Sequence, residues 1–120
     1  MHKILIIEDH PEIRQLIRIT LGHAFEILEA ADGETALTIA LEQKPALIVL
    51  DIGLTGEIDG IQVLDEIRKS QALASTKTVI ASGRASAEDI EYGYQHGAHA
   101  YFCKPFNPVQ LVNTIKELLA

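Results

Sequence analysis

Two kinds of apolar pattern alternate along this chain: short runs that are apolar without interruption, and longer stretches in which apolar residues recur every three or four positions. An uninterrupted run of strand length reads as a strand buried on both faces, and a 3.6-residue period reads as an amphipathic helix. Ile4-Leu5-Ile6-Ile7, within Lys3 to Ile7, and Ala46-Leu47-Ile48-Val49-Leu50 are the strongest runs. Each leads directly into carboxylates, Glu8-Asp9 after the first and Asp51 after the second. Phe25 to Leu28 is shorter and more polar, as at a sheet edge. Thr78-Val79-Ile80-Ala81, ending at Ser82-Gly83, and Ala100-Tyr101-Phe102-Cys103, ending at Lys104-Pro105, complete five predicted strands.

A predicted helix follows each strand. Pro11 suits the first helical position, Asp9 or His10 can cap it, and Ile13, Leu16, Ile17, Ile19 and Leu21 keep helical spacing until Gly22. Asp32-Gly33 makes a turn and cap before Ala36, Leu37, Ile39, Ala40 and Leu41, and Lys44-Pro45 ends that helix. The segment from Ile52 to Gly60 carries Gly53, Gly56 and Gly60, too many glycines for regular structure, and a third helix then presents Ile61, Val63, Leu64 and Ile67. Arg68-Lys69 closes it, as the helix dipole favours. Ser86 and Asp89 open a fourth helix that is polar, weakly amphipathic and ends near Gly97; Asn107-Pro108 starts a fifth carrying Leu111, Val112, Ile115, Leu118 and Leu119.

Strict strand-helix alternation with short connections predicts an α/β fold, one doubly wound five-stranded parallel sheet in a single domain over residues 1–120. Right-handed crossovers leave the strand orders 2-1-3-4-5 and 3-2-1-4-5. The first, flavodoxin-like order is preferred, because it sets the two most apolar strands side by side at the switch point. Ligands of open α/β sheets bind at the carboxyl ends of such strands, so Glu8, Asp9 and Asp51 meet in one crevice.

Composition narrows the function. The net charge is −7, from 17 acidic and 10 basic residues, with no basic cluster to follow a phosphate backbone and no Trp for base stacking. Direct nucleic-acid binding by this domain is therefore not expected. A lone Cys103 fits a reducing cytoplasm, no apolar run approaches membrane-spanning length, and Met1-His2-Lys3-Ile4 passes straight into a strand rather than a signal peptide. The domain is expected to be cytoplasmic, and Cys103 a small core residue. His96 and His99 straddle a helix end with no completing ligand, so they are expected at the surface rather than on zinc.

Three carboxylates in one crevice repel one another unless a cation lies among them, and an oxygen-only set points to a hard ion such as Mg2+. Lys104, at the end of the fifth strand, can put a positive charge on an anion held there, and Ser82, at the end of the fourth, can donate or accept a hydrogen bond.

These residues resemble, over the whole chain, the receiver domain of two-component response regulators. The matching elements are Glu8-Asp9, Asp51 followed by Leu54, Gly56 and Asp59-Gly60, then Ser82-Gly83, and Tyr101-Phe102-Cys103-Lys104-Pro105-Phe106, which is similar to the family's Tyr-x-x-Lys-Pro-Phe segment. The resemblance implies that Asp51 accepts a phosphoryl group from a histidine kinase or a phosphotransfer protein. It also implies that Asp9, Asp51 and the Gly53 carbonyl hold Mg2+, with Glu8 acting through water. Lys104 and Ser82 would contact the phosphoryl oxygens, and Tyr101 would turn inward after Ser82. A cis Lys104-Pro105 bond and an output surface on the fourth helix, fifth strand and fifth helix follow from the same resemblance.

The chain departs from the family in three places. Thr55 stands where proline is usual, Glu57-Ile58 lengthens the loop before Asp59-Gly60 by one residue, and His99-Ala100 replaces an acidic pair used for dimerisation by regulators with winged-helix output domains. Two rivals fit less well. Dehalogenase-type phosphatases carry a general acid two residues after the strand-end aspartate, where this chain has Gly53; a flavodoxin-like module needs a phosphate loop where Glu8 and Asp9 stand. The expected role is a phosphoacceptor switch, with at most slow Mg-dependent self-dephosphorylation, rather than an enzyme. It would act either as a stand-alone receiver or as part of a longer regulator.

Overall fold

In the computed structural model, which describes every residue except Thr55, the five apolar runs are five parallel strands. They are β1 (Lys3–Ile7), β2 (Glu26–Ala30), β3 (Leu47–Leu50), β4 (Lys77–Ser82) and β5 (Ala100–Cys103), in the order β2-β1-β3-β4-β5. The helices are α1 (Pro11–Leu21), α2 (Gly33–Gln43), α3 (Gly60–Lys69), α4 (Ala87–Gln95) and α5 (Pro108–Leu118). A short 3-10 turn, Gln71–Leu73, leads into β4.

Side chains on a strand alternate between its faces, and here each face has its own core. Leu5, Ile7, Ile48, Leu50 and Ile80 pack with Ala36, Ala40, Val63, Leu64 and Ile67 of α2 and α3. Ile4, Ile6, Leu47, Val49, Val79 and Ala81 pack with Ile17, Leu21, Leu111 and Ile115 of α1 and α5. That two-sided coverage is why β1 and β3 show no polar alternation. They pair in register, Ile4 with Leu47 through Ile7 with Leu50, and are buried along almost their whole length.

Some expectations shift. β2 begins at Glu26 and reaches Ala30, two residues beyond the apolar run, because its backbone follows β1 rather than its own side-chain pattern. Only Ile17 and Leu21 of α1 are buried, while Leu16 and Ile19 point outward at 44% and 67% exposure. His10 is the N-cap of α1 but makes no side-chain cap bond. Cys103 is half-buried, because β5 is an edge strand. His96 is half-buried and meets Asp65, and His99, although exposed, uses Nδ1 to accept from the Thr78 N–H at 3.0 Å. Burial, with help from Lys77 and Arg68, holds the His99 pKa below its ordinary value.

Of the three family departures, Thr55 lies outside the described residues. The longer loop is accommodated by Ile58, which packs against the α2–α3 core. A Cβ at Gly33 would fall 2.6 Å from Ile58 Cγ1, so the glycine makes room for it. Asp59 then starts α3 with a reciprocal capping box: its carboxylate accepts from the Gln62 N–H while the Gln62 side chain accepts from the Asp59 N–H.

Gly60 is the tightest point of the fold. A Cβ there would lie 2.3 Å from Ile52 Cα and 2.4 Å from the Asp51 carbonyl oxygen. Both are backbone atoms, so neither can turn aside. Gly60→Ala is expected to cost roughly 3 kcal/mol, at the upper end for overpacking, measured as a lower urea midpoint. A variant unfolding at the parent midpoint would show that the Asp51–Ile52 backbone is not pressed against α3.

Candidate functional site

The backbone ladder of the sheet runs one residue past the strand ends, and the candidate residues sit on those extensions. The Glu8 N–H donates to the Ala30 carbonyl at 3.1 Å, the Asp51 N–H to Ile7 at 3.0 Å, and the Lys104 N–H to Ser82 at 2.8 Å. Their side chains therefore start from fixed backbone rather than from mobile loops.

They converge on one another. Lys104 Nζ donates to Glu8 Oε1 and, at 3.1 Å, to Asp51 Oδ2. Glu8 and Asp51 are nearly inaccessible, at 2% and 6% exposure, and Asp9 is partly buried beside them. Burial alone penalises the Lys104 ammonium, but hydrogen bonds and charge from Glu8 and Asp51 outweigh it and raise its pKa above the ordinary value. The Lys104-Pro105 bond is cis.

The donor set fits a divalent cation. One ligand atom each from Glu8, Asp9, His10 and Asp51 can be chosen so that all lie within 4.8 Å of one another. The Gly53 N–H donates to Asp51 Oδ1 at 2.9 Å, which fixes the carboxylate and brings the Gly53 backbone to the edge of the site.

Ser82 and Tyr101 form a second group next to the first. Buried Ser82 accepts from the Arg84 N–H through Oγ at 3.2 Å, and the Tyr101 hydroxyl donates to the Arg84 carbonyl at 2.7 Å. Both thus hold the same residue of the β4–α4 connection. The Tyr101 ring is half-buried and packs on the α2–α3 core; burial raises the pKa of its hydroxyl.

Two residues at the site were not anticipated. His10 Nδ1 lies 2.9 Å from Glu8 Oε2 and 3.0 Å from Asp9 Oδ1, and the Glu8 contact leads the effects that raise its pKa. Its adjacency to Glu8-Asp9 is plain in the sequence, but its place before Pro11 reads as a helix cap. Arg14 donates to the Glu8 carbonyl at 2.7 Å and pairs with Glu29 of β2. Nothing in the helical pattern of α1 distinguishes it, because the pair with Glu29 exists only once β2 lies beside β1.

Comparison with known proteins follows the same lines. The model of the response regulator receiver domain matches residues 4–116. This chain belongs to that family. The receiver domain is 35% identical over 119 residues to the transcriptional regulatory protein SrrA of Staphylococcus aureus, covering 98% of this chain and 48% of SrrA. It thus spans about half the length of the curated relatives it matches. A putative response regulator from Chloroflexus aurantiacus superposes with a TM-score of 0.92 at 28% identity, covering 98% of this chain and 97% of that one. The chemotaxis response regulator CheY4 of Vibrio cholerae superposes with a TM-score of 0.89 at 29% identity and 98% coverage of both. The receiver domain is a signalling module of two-component systems, not a classical enzyme.

Gly93 of α4 sets the space around Tyr101. A Cβ there would sit 2.8 Å from Ile80 Cδ1 and 3.0 to 3.1 Å from the tyrosine ring. Gly93→Ala removes a helix-interior glycine, which alone gains about 1 kcal/mol, but crowds the ring. The expected outcome is displaced Tyr101 ring resonances with little net gain in stability. The full gain with unchanged ring resonances would show that the methyl is accommodated.

Proposed function

We propose that Asp51 is the phosphoryl acceptor of this receiver domain and that Lys104, Ser82 and an Mg2+ ion assist the transfer. The observation that carries this reading is the buried Asp51 carboxylate, held at 3.1 Å by the Lys104 ammonium in a pocket shared with Glu8 and Asp9. A carboxylate oxygen of Asp51 attacks the phosphorus of a phosphohistidine. The new O–P bond forms as the N–P bond breaks, and the leaving imidazole nitrogen takes up a proton. Asp9, Asp51 and the Gly53 carbonyl would hold Mg2+, with Glu8 acting through water, and the ion would neutralise charge on the transferred oxygens. Lys104 supplies the fixed protein cation facing the same oxygens, and Ser82 offers its hydroxyl once released from the Arg84 N–H.

Loss of the phosphoryl group is proposed to be slow and Mg-dependent. Gly53 carries no side chain to activate water, and Arg84, two residues after Ser82, is exposed. The domain reading extends over residues 1–120, with a cytoplasmic location. Among the described residues no helix is long and apolar enough to cross a membrane, and with a net charge of −7 the domain itself is proposed not to contact nucleic acid.

Incubation with acetyl phosphate and Mg2+ should add one phosphoryl mass to the parent and none to Asp51→Asn, and excess chelator should suppress labelling. Labelling of Asp51→Asn to the parent level would refute Asp51 as the acceptor.

A histidine kinase or histidine phosphotransfer protein is the proposed donor. Beside Lys104, the side chains of Ile13, Leu16, Pro105 and Phe106 line an apolar depression that a donor helix can cover. Burying one leucine is worth about 1.5–3 kcal/mol, so Leu16→Asp is expected to slow transfer from a phosphorylated donor protein by about tenfold or more. Labelling by acetyl phosphate should stay at the parent rate. Equal slowing with both donors would place Leu16 in the site rather than in docking. The proposed output surface is α4, β5 and α5, where Tyr92 and Tyr94 are exposed and Tyr101 ties β5 to the connection before α4.

A further inference from the structure

The acidic residues of the pocket offer oxygen alone, whereas the residue that follows them offers nitrogen. We propose that His10 is a fourth protein ligand that lets this site hold a borderline transition-metal ion of the Ni2+ or Zn2+ class, in competition with Mg2+. The proposal rests on the reading of Glu8, Asp9 and Asp51 as a divalent-cation site and adds a nitrogen donor to it.

The distances support coordination by the ring. With metal–ligand bonds of about 2.1 Å, neighbouring ligands of an octahedral ion stand about 3.0 Å apart and opposite ones about 4.2 Å. His10 Nδ1 lies 3.0 Å from Asp9 Oδ1, the spacing of neighbours around a shared ion, and its 2.9 Å hydrogen bond with Glu8 Oε2 holds the ring at the pocket. The whole group, with Asp51, lies within 4.8 Å, close to the separation of opposite ligands around one ion. The backbone of His10 is fixed as the N-cap before Pro11, and its N–H donates to Glu8 Oε2 at 3.1 Å. Its side chain is 57% exposed and can turn without disturbing the core.

The chemistry separates the two classes of ion. Mg2+ prefers oxygen and gains little from an imidazole, whereas Ni2+ and Zn2+ bind imidazole well and stand high in the divalent affinity series. An ion of this class held by His10 occupies Asp9 and Asp51, the same carboxylates proposed for Mg2+.

Calorimetric titration of the metal-free protein with NiCl2, ZnCl2 and MgCl2 tests the proposal, comparing the parent with His10→Ala and His10→Asn. Both variants are expected to lose about tenfold or more in Ni2+ and Zn2+ affinity and to keep Mg2+ affinity within about twofold. Sub-stoichiometric Ni2+ should broaden the His10 ring resonances before those of His2, His23, His96 and His99, and excess Mg2+ should restore them. Unchanged Ni2+ and Zn2+ affinity in both variants, or first broadening at another histidine, would overturn the role of His10. Failure of the parent to bind Mg2+ would instead count against the Mg2+ reading, and Ni2+ binding lost in both His10 variants would still support the nitrogen ligand.

Discussion

Carboxylates cannot be gathered in a nearly dry pocket without a cation, and in this protein the Lys104 ammonium between Glu8 and Asp51 meets that constraint. Two like charges about 4 Å apart repel by roughly 4 kcal/mol at the effective dielectric of a partly screened site. Glu8 and Asp51 are almost fully buried, so the lysine must arrive from a different strand at the same height. That requirement links the end of β5 to the ends of β1 and β3 across the intervening β4. The backbone bond from Lys104 to the Ser82 carbonyl fixes the level at which the ammonium enters.

The arrangement also connects the acidic pocket to the surface. Ser82 lies beside the pocket through its backbone and, through its hydroxyl, holds the Arg84 N–H, while Tyr101 holds the carbonyl of that same residue from β5. A group that draws the Ser82 hydroxyl toward Asp51 must release the Arg84 N–H. The tyrosine is thereby coupled to the site through Ser82 and the Arg84 backbone. α4, whose only buried residue is Gly93, is the least firmly held helix next to this connection and so the element best able to respond. A ligand shifts a two-state equilibrium only through contacts that differ between the two arrangements, and in the switch proposed above the two hydrogen bonds to the Arg84 backbone are such contacts.

Much of this was readable from residue order because it is local. Uninterrupted apolar runs in β1 and β3 report coverage on both faces, the caps at Asp32 and Asn107 bond as their residue types dictate, and strand-helix alternation leaves few topologies. Family resemblance then pointed to Glu8, Asp9, Asp51, Ser82, Tyr101 and Lys104, and the fold brings Glu8, Asp9, Asp51 and Lys104 into one pocket. The exposed faces of Leu16 and Ile19 were not readable, since helical spacing shows that apolar residues share a side but not whether that side is covered.

Sequence alone determined the element order, the two most buried strands and the carboxylates at their ends, because each depends on a few consecutive residues and their periodicity. Tertiary structure decided what depends on distance between remote segments. Arg14, which donates to the nearby Glu8 carbonyl, reaches Glu29 as well only because β2 lies beside β1. Gly60 must be glycine because the Asp51–Ile52 backbone passes over the start of α3. Ile58 finds room only against Gly33, a residue 25 positions earlier in the chain. The nitrogen of His10 faces the carboxylates, rather than the helix end it precedes, because the backbone turn at Glu8 and Pro11 aims it there. No periodicity encodes these contacts, since they are steric and electrostatic consequences of the assembled fold.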